Sequence, residues 1–275
     1  MPHASRRPAR WPWLLVAIAV AATAWWLLRP APPPLQDAPT MPPALAHDAL
    51  PPPSMLPGAD EPPGIQHPVA PAVDAADAAI PTLADSDAAV LHALEALAGD
   101  PSVFGVLARG HVVQRLVVMV DNLTEPRATA TALALRPLPG EYAVIAGGSA
   151  TVADAAANSA RYAPYVAAFT GADAGRVADA YRRFYPLFQA AYVELGYPDG
   201  YFNDRLVQVI DHLLQAPVPQ ADTALVRDER GRWRYADPAL ESASVGHKAL
   251  MRLSAGQQAA VKTQLRALRR ALARP

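Results

Sequence analysis

Asp211 and His212 are the adjacent side chains whose types first suggest chemistry, since a carboxylate can orient an imidazole for general acid–base work; Glu194 is the further acid such a site would use. Their spacing argues against a shared role. Neighbouring positions on a helix point about 100° apart, so Asp211 requires a different partner, expected in the following turn or at Arg205, and His212 requires another acid. No Ser stands in a G-x-S-x-G elbow, and the absence of Cys removes thiol nucleophiles, disulfides and lipidated cysteine. The histidines never fall at a spacing such as H-x-x-x-H, and Asp199, Asn203 and Asp204 do not follow the calcium-loop pattern. No metal or cofactor is therefore expected. Asp211, His212 and Glu194 are the only catalytic candidates in a chain that otherwise reads as non-catalytic.

Binding is the alternative chemistry. The aromatics Tyr181, Phe184, Tyr185, Phe188, Tyr192, Tyr197, Tyr201 and Phe202 crowd one region, and most fall on helical stripes that a core would absorb. Tyr197, Tyr201 and Phe202 lie in or beside a turn, where packing explains them least. With Arg161 and Arg205 as charged anchors they form the expected binding set, suited to sugar rings or peptide side chains.

The elements that must position these residues read as mainly α, with a minor element of two or three strands. Ser86 starts a helix carrying Val90, Leu91, Leu94 and Leu97, and Asp100-Pro101 starts a second. Val112 to Val120 repeats at helical spacing up to Asp121-Asn122, while its β-branched content keeps a strand reading open. Arg136 to Gly140 is a turn, and Glu141 to Ala146 one short strand. Tyr162, Tyr165, Val166 and Phe169 make one stripe; Val177 to Leu195, capped by Asp173, makes a longer one, in which Pro186 predicts a kink or two helices meeting near Tyr185. Leu206 to Leu213 is a further helix. Residues 224–227 and 233–235 flank Asp228 to Arg232 as a β-hairpin, Asp237-Pro238 opens a helix, and Ser254 with Gln257 forms a capping box for the last one.

Ahead of this head the composition changes twice. Trp11 to Leu28 is an apolar run of about 18 residues, near the length that spans a bilayer, with Arg6, Arg7 and Arg10 before it and tryptophans at both ends. From Pro30 to about Pro81 the chain is rich in Pro and Ala without a single Lys or Arg, a composition that cannot bury enough surface to fold. The expected organisation is 1–10 cytoplasmic, 11–28 a transmembrane signal anchor, 29–80 a disordered Pro/Ala-rich linker, and 81–275 a mainly helical domain. The positive-inside bias puts that domain in the periplasm of a bacterial inner-membrane protein. A cleaved signal peptide ending at Ala22-Thr23-Ala24 is the rival reading of the same segment.

Short blocks spread along the head carry a resemblance. Ser86-Asp87, Val120-Asp121-Asn122-Leu123, Arg161-Tyr162, Tyr185-Pro186-Leu187-Phe188-Gln189, Leu195-Gly196-Tyr197-Pro198, Phe202-Asn203-Asp204-Arg205, Ile210-Asp211-His212-Leu213-Leu214 and Ala236-Asp237-Pro238 resemble the signature of a bacterial family known as domain of unknown function three thousand and fourteen. The resemblance extends from about Pro81 onward. It implies an N-terminal anchor, a proline-rich linker and a helical head, and brings no activity with it.

These readings converge on a membrane-anchored cell-envelope protein whose head is a non-catalytic binding or scaffold module, with an envelope protein or peptidoglycan as partner. One alternative is an envelope enzyme acting on the cell wall through Asp211, His212 and Glu194. Another is a binder of anionic lipid or polymer through the last helix, because no acid follows Glu241 while Lys248, Arg252, Lys262, Arg266, Arg269, Arg270 and Arg274 do. A net charge of −1 and an exported head argue against nucleic acid.

Overall fold

The computed structural model describes residues 64–69, 80–129 and 134–273. They belong to Gly58–Pro275, one of the two units into which the chain divides. The expected cytoplasmic start, the membrane helix and most of the linker lie outside the described residues. Among those described, no helix is long and apolar enough to cross a membrane.

Most helix starts follow the caps. Ser86 stands before α1 (Asp87–Leu97) without the expected side-chain cap, its Oγ donating back to Leu83 O at 2.9 Å, and the Asp87 carboxylate accepts from His111 N and Val112 N at 2.8 and 2.7 Å, closing the open end of α2 (Val112–Asn122) from outside. Asp154 caps α3 (Ala155–Gly171) and Asp173 caps α4 (Ala174–Glu194). Next come α5 (Phe202–Leu214), α6 (Pro238–Glu241), α7 (Val245–Met251) and α8 (Ala255–Leu272), the last with both halves of the Ser254–Gln257 capping box formed.

Three further expectations change. The helix predicted after Asp100-Pro101 is a 3-10 segment, Pro101–Val106. The sheet has four antiparallel strands in sequential order, β1 (Val144–Gly147), β2 (Ala150–Ala153), β3 (Leu225–Arg227) and β4 (Trp233–Tyr235), where two or three were expected. The added strand turns at Gly148, whose φ of +64° suits a residue without Cβ. Finally, α4 runs through Pro186 as one helix and not as two meeting near Tyr185. Proline removes one backbone donor there, but Phe184 and Leu187 are buried on either side, and that packing holds the helix across the gap.

α4 packs against α1, α2, α5 and α8, and α5 against α2, α4, α7 and α8. Its Phe202 joins a core with Val112, Val113 and Val117 of α2 and Phe184, Leu187 and Tyr192 of α4; its Ile210 joins a second with Leu250, Val261 and Leu265. A third, smaller core of Leu225, Tyr235 and Met251 seats the sheet. Burial of a side chain such as Phe202, 1% exposed, is worth about 2–3 kcal/mol.

Candidate functional site

The turn into α5 and the first residues of that helix carry four of the five expected binding residues, Tyr197, Tyr201, Phe202 and Arg205. Gln189 of α4 braces it: its Oε1 accepts from Phe202 N at 2.9 Å and from the Tyr185 hydroxyl at 3.0 Å, and its Nε2 donates to Gly200 O at 2.7 Å. This amide replaces the side-chain cap that Tyr201 does not supply. Gly200 sits so close to Tyr192 that a Cβ would lie 2.9 Å from its ring. Tyr197 then stacks on Tyr192 with centroids 4.6 Å apart, and its hydroxyl donates to Asp121 Oδ2 at 3.2 Å. The Asp121 charge holds the Tyr197 phenol above its ordinary pKa.

Arg205 is wholly engaged. Its Nε donates to Asp121 Oδ1 at 2.7 Å, its Nη2 to Asp121 O at 2.7 Å and to Thr124 Oγ1 at 2.8 Å, and its Nη1 to Gln208 Oε1 at 2.9 Å. Next to it, α5 grips part of the predicted linker. The Asp204 carboxylate accepts from Gln66 N at 3.0 Å and His67 N at 2.6 Å, and Asn203 Nδ2 donates to His67 O at 2.8 Å. All three contacts are to backbone, so they hold the segment as peptide without reading its side chains. Between segment and helix lies a polar cleft of about 260 Å³, lined among others by Gln66, Asp199, Tyr201, Asp204, Arg205 and Gln208.

Of the expected binding set, Tyr201 and Arg205 line this cleft, whereas Tyr197 is held in its stack and Phe202 is core. Arg161 works elsewhere: its guanidinium donates to the carbonyls of Leu138, Pro139 and Gly140 at 3.0, 2.9 and 2.9 Å, clamping the turn before β1, and it shares no partner with Arg205.

The catalytic candidates also have separate surroundings. Asp211 forms a bidentate pair with Arg269 of α8, which takes the role expected of Arg205 or the turn. His212 stacks on His247 with centroids 4.0 Å apart and planes 3° from parallel, its Nε2 lies 2.8 Å from Ser244 Oγ, and His247 Nε2 donates to His212 O at 2.7 Å. Burial, followed by His247 and Arg205, pushes the His212 pKa below its ordinary value. Glu194 is exposed at the end of α4. None of the three lines the polar cleft or the second cavity, an apolar one of about 420 Å³ between α1, the 3-10 segment and α3.

On α8 the basic residues divide between internal and outward use. Arg269 is paired with Asp211, and Lys262 Nζ donates to Ala216 O at 2.6 Å, while Arg266 and Arg270 are exposed. Among the described residues no group of three or more His, Cys, Asp or Glu could hold a metal ion. Sequence reasoning missed Gln189, Asp121 and Asp204 as the groups that hold the turn, Arg205 and residues 66–67. They lie in three of the blocks that carried the resemblance, and the fold brings those blocks together, which is the signal that could have grouped them.

Fold and site together define a mainly helical domain with a small antiparallel sheet, in which a polar network fastens the central helix to its neighbours. The profile of the family described as "Protein of unknown function (DUF3014)" matches residues 112–269, from α2 into α8, and the chain belongs to that family. The matched span begins later than the Pro81 suggested by the short blocks, so α1 and the 3-10 segment after it fall outside it. No curated protein and no solved structure matches the chain.

Proposed function

We propose that the chain is a membrane-anchored envelope protein whose head is a non-catalytic binding or scaffold module facing the periplasm. The anchor and direction rest on the apolar run 11–28 and the arginines before it. The observation that carries the binding role is the polar cleft beside the docked linker segment, where Tyr201, Asp199 and Gln208 line an opening next to Asp204. Its chemistry is that of recognition: an aromatic ring, an amide and carboxylates suit a hydroxyl- or amide-rich partner such as cell-wall glycan-peptide or an extended protein segment.

The test is co-sedimentation of the full chain, in mild detergent, with isolated peptidoglycan sacculi, beside a Tyr201→Ala/Gln208→Ala variant whose folding is checked by circular dichroism. Retention of the intact chain that the folded variant loses places the site in this cleft. Retention equal in both removes the cleft as the wall-binding site. No retention by either removes the wall as ligand, and crosslinking in native cells then decides whether the partner is a protein.

A further inference from the structure

The apolar cavity is independent of that cleft and has a chemistry of its own. Its walls come from α1, the 3-10 segment, residues 135–138, α3, the first turn of α4 and α8, with Leu97, Phe104, Leu138, Phe169 and Leu268 among the lining side chains. At about 420 Å³ it falls within the size range of sites for small organic molecules. Phe169 and Leu135 remain 36% and 46% exposed, an unfavourable use of large apolar surface unless something covers them.

The shape and charge select the occupant. The pocket is partly open, but its lining comes from six separate segments and its volume suits one narrow chain and not a partner helix. The one lining side chain that is charged at neutral pH is Arg136, which is exposed and has no carboxylate partner among the described residues. It is held at the cavity by a short antiparallel pairing, with Ala108 N donating to Ala134 O at 2.8 Å and Arg136 N to Val106 O at 2.7 Å. A single cation beside an apolar hole complements an amphiphile with one anionic head. A bilayer surface would instead call for a cluster of Lys and Arg, which this lining lacks. We propose that the cavity is a binding site for a single long acyl chain bearing a terminal carboxylate, taken up as a monomeric fatty acid with its head against Arg136.

The test keeps the full chain in isolated membranes washed free of ATP and coenzyme A, so that an added fatty acid stays unesterified. A long-chain fatty acid with a terminal diazirine is added and irradiated, and the attached peptides are mapped by mass spectrometry; a second arm carries the same diazirine chain in a phospholipid. The expected result is labelling of α1 or α3 peptides in the fatty-acid arm. Ala168→Trp fills the cavity from a half-exposed position of α3 and should cut that labelling at least about tenfold. Arg136→Gln should cut it about two- to fivefold, the effect of losing one exposed ion pair. Circular dichroism establishes that both variants fold. Labelling confined to residues 11–28, absent altogether, confined to the phospholipid arm, or unchanged by Ala168→Trp overturns the proposal.

Discussion

Two Asp–Arg pairs differ at the residue scale in geometry and in surroundings: Arg269 forks both Asp211 carboxylate oxygens, whereas Arg205 reaches Asp121 Oδ1 and the Asp121 backbone carbonyl. Arg269 and Asp211 are each 40% exposed, so water screens the pair and already solvates both partners. Arg205 and Asp121 are 19% and 16% exposed, and the same guanidinium also serves Asp121 O, Thr124 and Gln208. Removing one member there strands a largely desolvated cation. Urea denaturation should therefore separate them: Asp211→Ala should cost about 0–1 kcal/mol, and Asp121→Ala about 2–4 kcal/mol. Equal losses would mean that burial does not set the worth of these pairs.

At the scale of elements, the α5–α7 seam shows why contact chemistry was less legible than helix position. Gly246 lets α7 approach so closely that a Cβ would lie 2.4 Å from Leu213 Cδ2 and 2.8 Å from Leu123 O, while Gly246 N donates to that carbonyl at 2.9 Å. The same approach stacks His247 on His212. Nothing in the spacing of these residues announces their meeting, because the seam joins positions more than thirty apart in sequence. Caps and stripes are local, and so Asp173, the Ser254–Gln257 box and the Val261, Leu265 and Leu268 stripe could be read directly. The β1–β2 hairpin was half-missed because Ala146-Gly147-Gly148 and Ala150 carry little strand propensity; tertiary packing, with Val152 buried, makes the strand. The seam also predicts a pH response. A His212 pKa held below its ordinary value of 6.5 means that the unfolded chain binds the proton first, so this contribution to stability is complete above about pH 6.5 and is lost as pH falls through the folded value. Urea midpoints measured from pH 7 to 5.5 should fall in the native chain and fall less steeply in His212→Gln; parallel slopes would assign the response to another group.

For the whole molecule, the grip on residues 66–67 fixes a segment that composition alone assigns to the linker. With Gln66 and His67 bound to Asp204 and Asn203, a linker of the kind we propose would end before residue 64 instead of continuing to Ile80. Releasing that stretch would add up to roughly 50 Å if it extends as polyproline II. Gln66 also lines the polar cleft, so under the proposed function reach and recognition would be coupled through the same carboxylate: a ligand competing for Asp204 would lengthen the tether. Asp204→Ala removes both acceptors while leaving the cores untouched. The native fold should survive with a loss of about 1 kcal/mol, from two partly exposed hydrogen bonds and one acid at a helix start. Hydrogen exchange should then show the Gln66 and His67 amides protected in the native chain and open in the variant, while α2, α4 and α5 keep their protection. Equal protection at Gln66 and His67 in both chains would mean that the carboxylate does not hold the segment and that reach and recognition are separate.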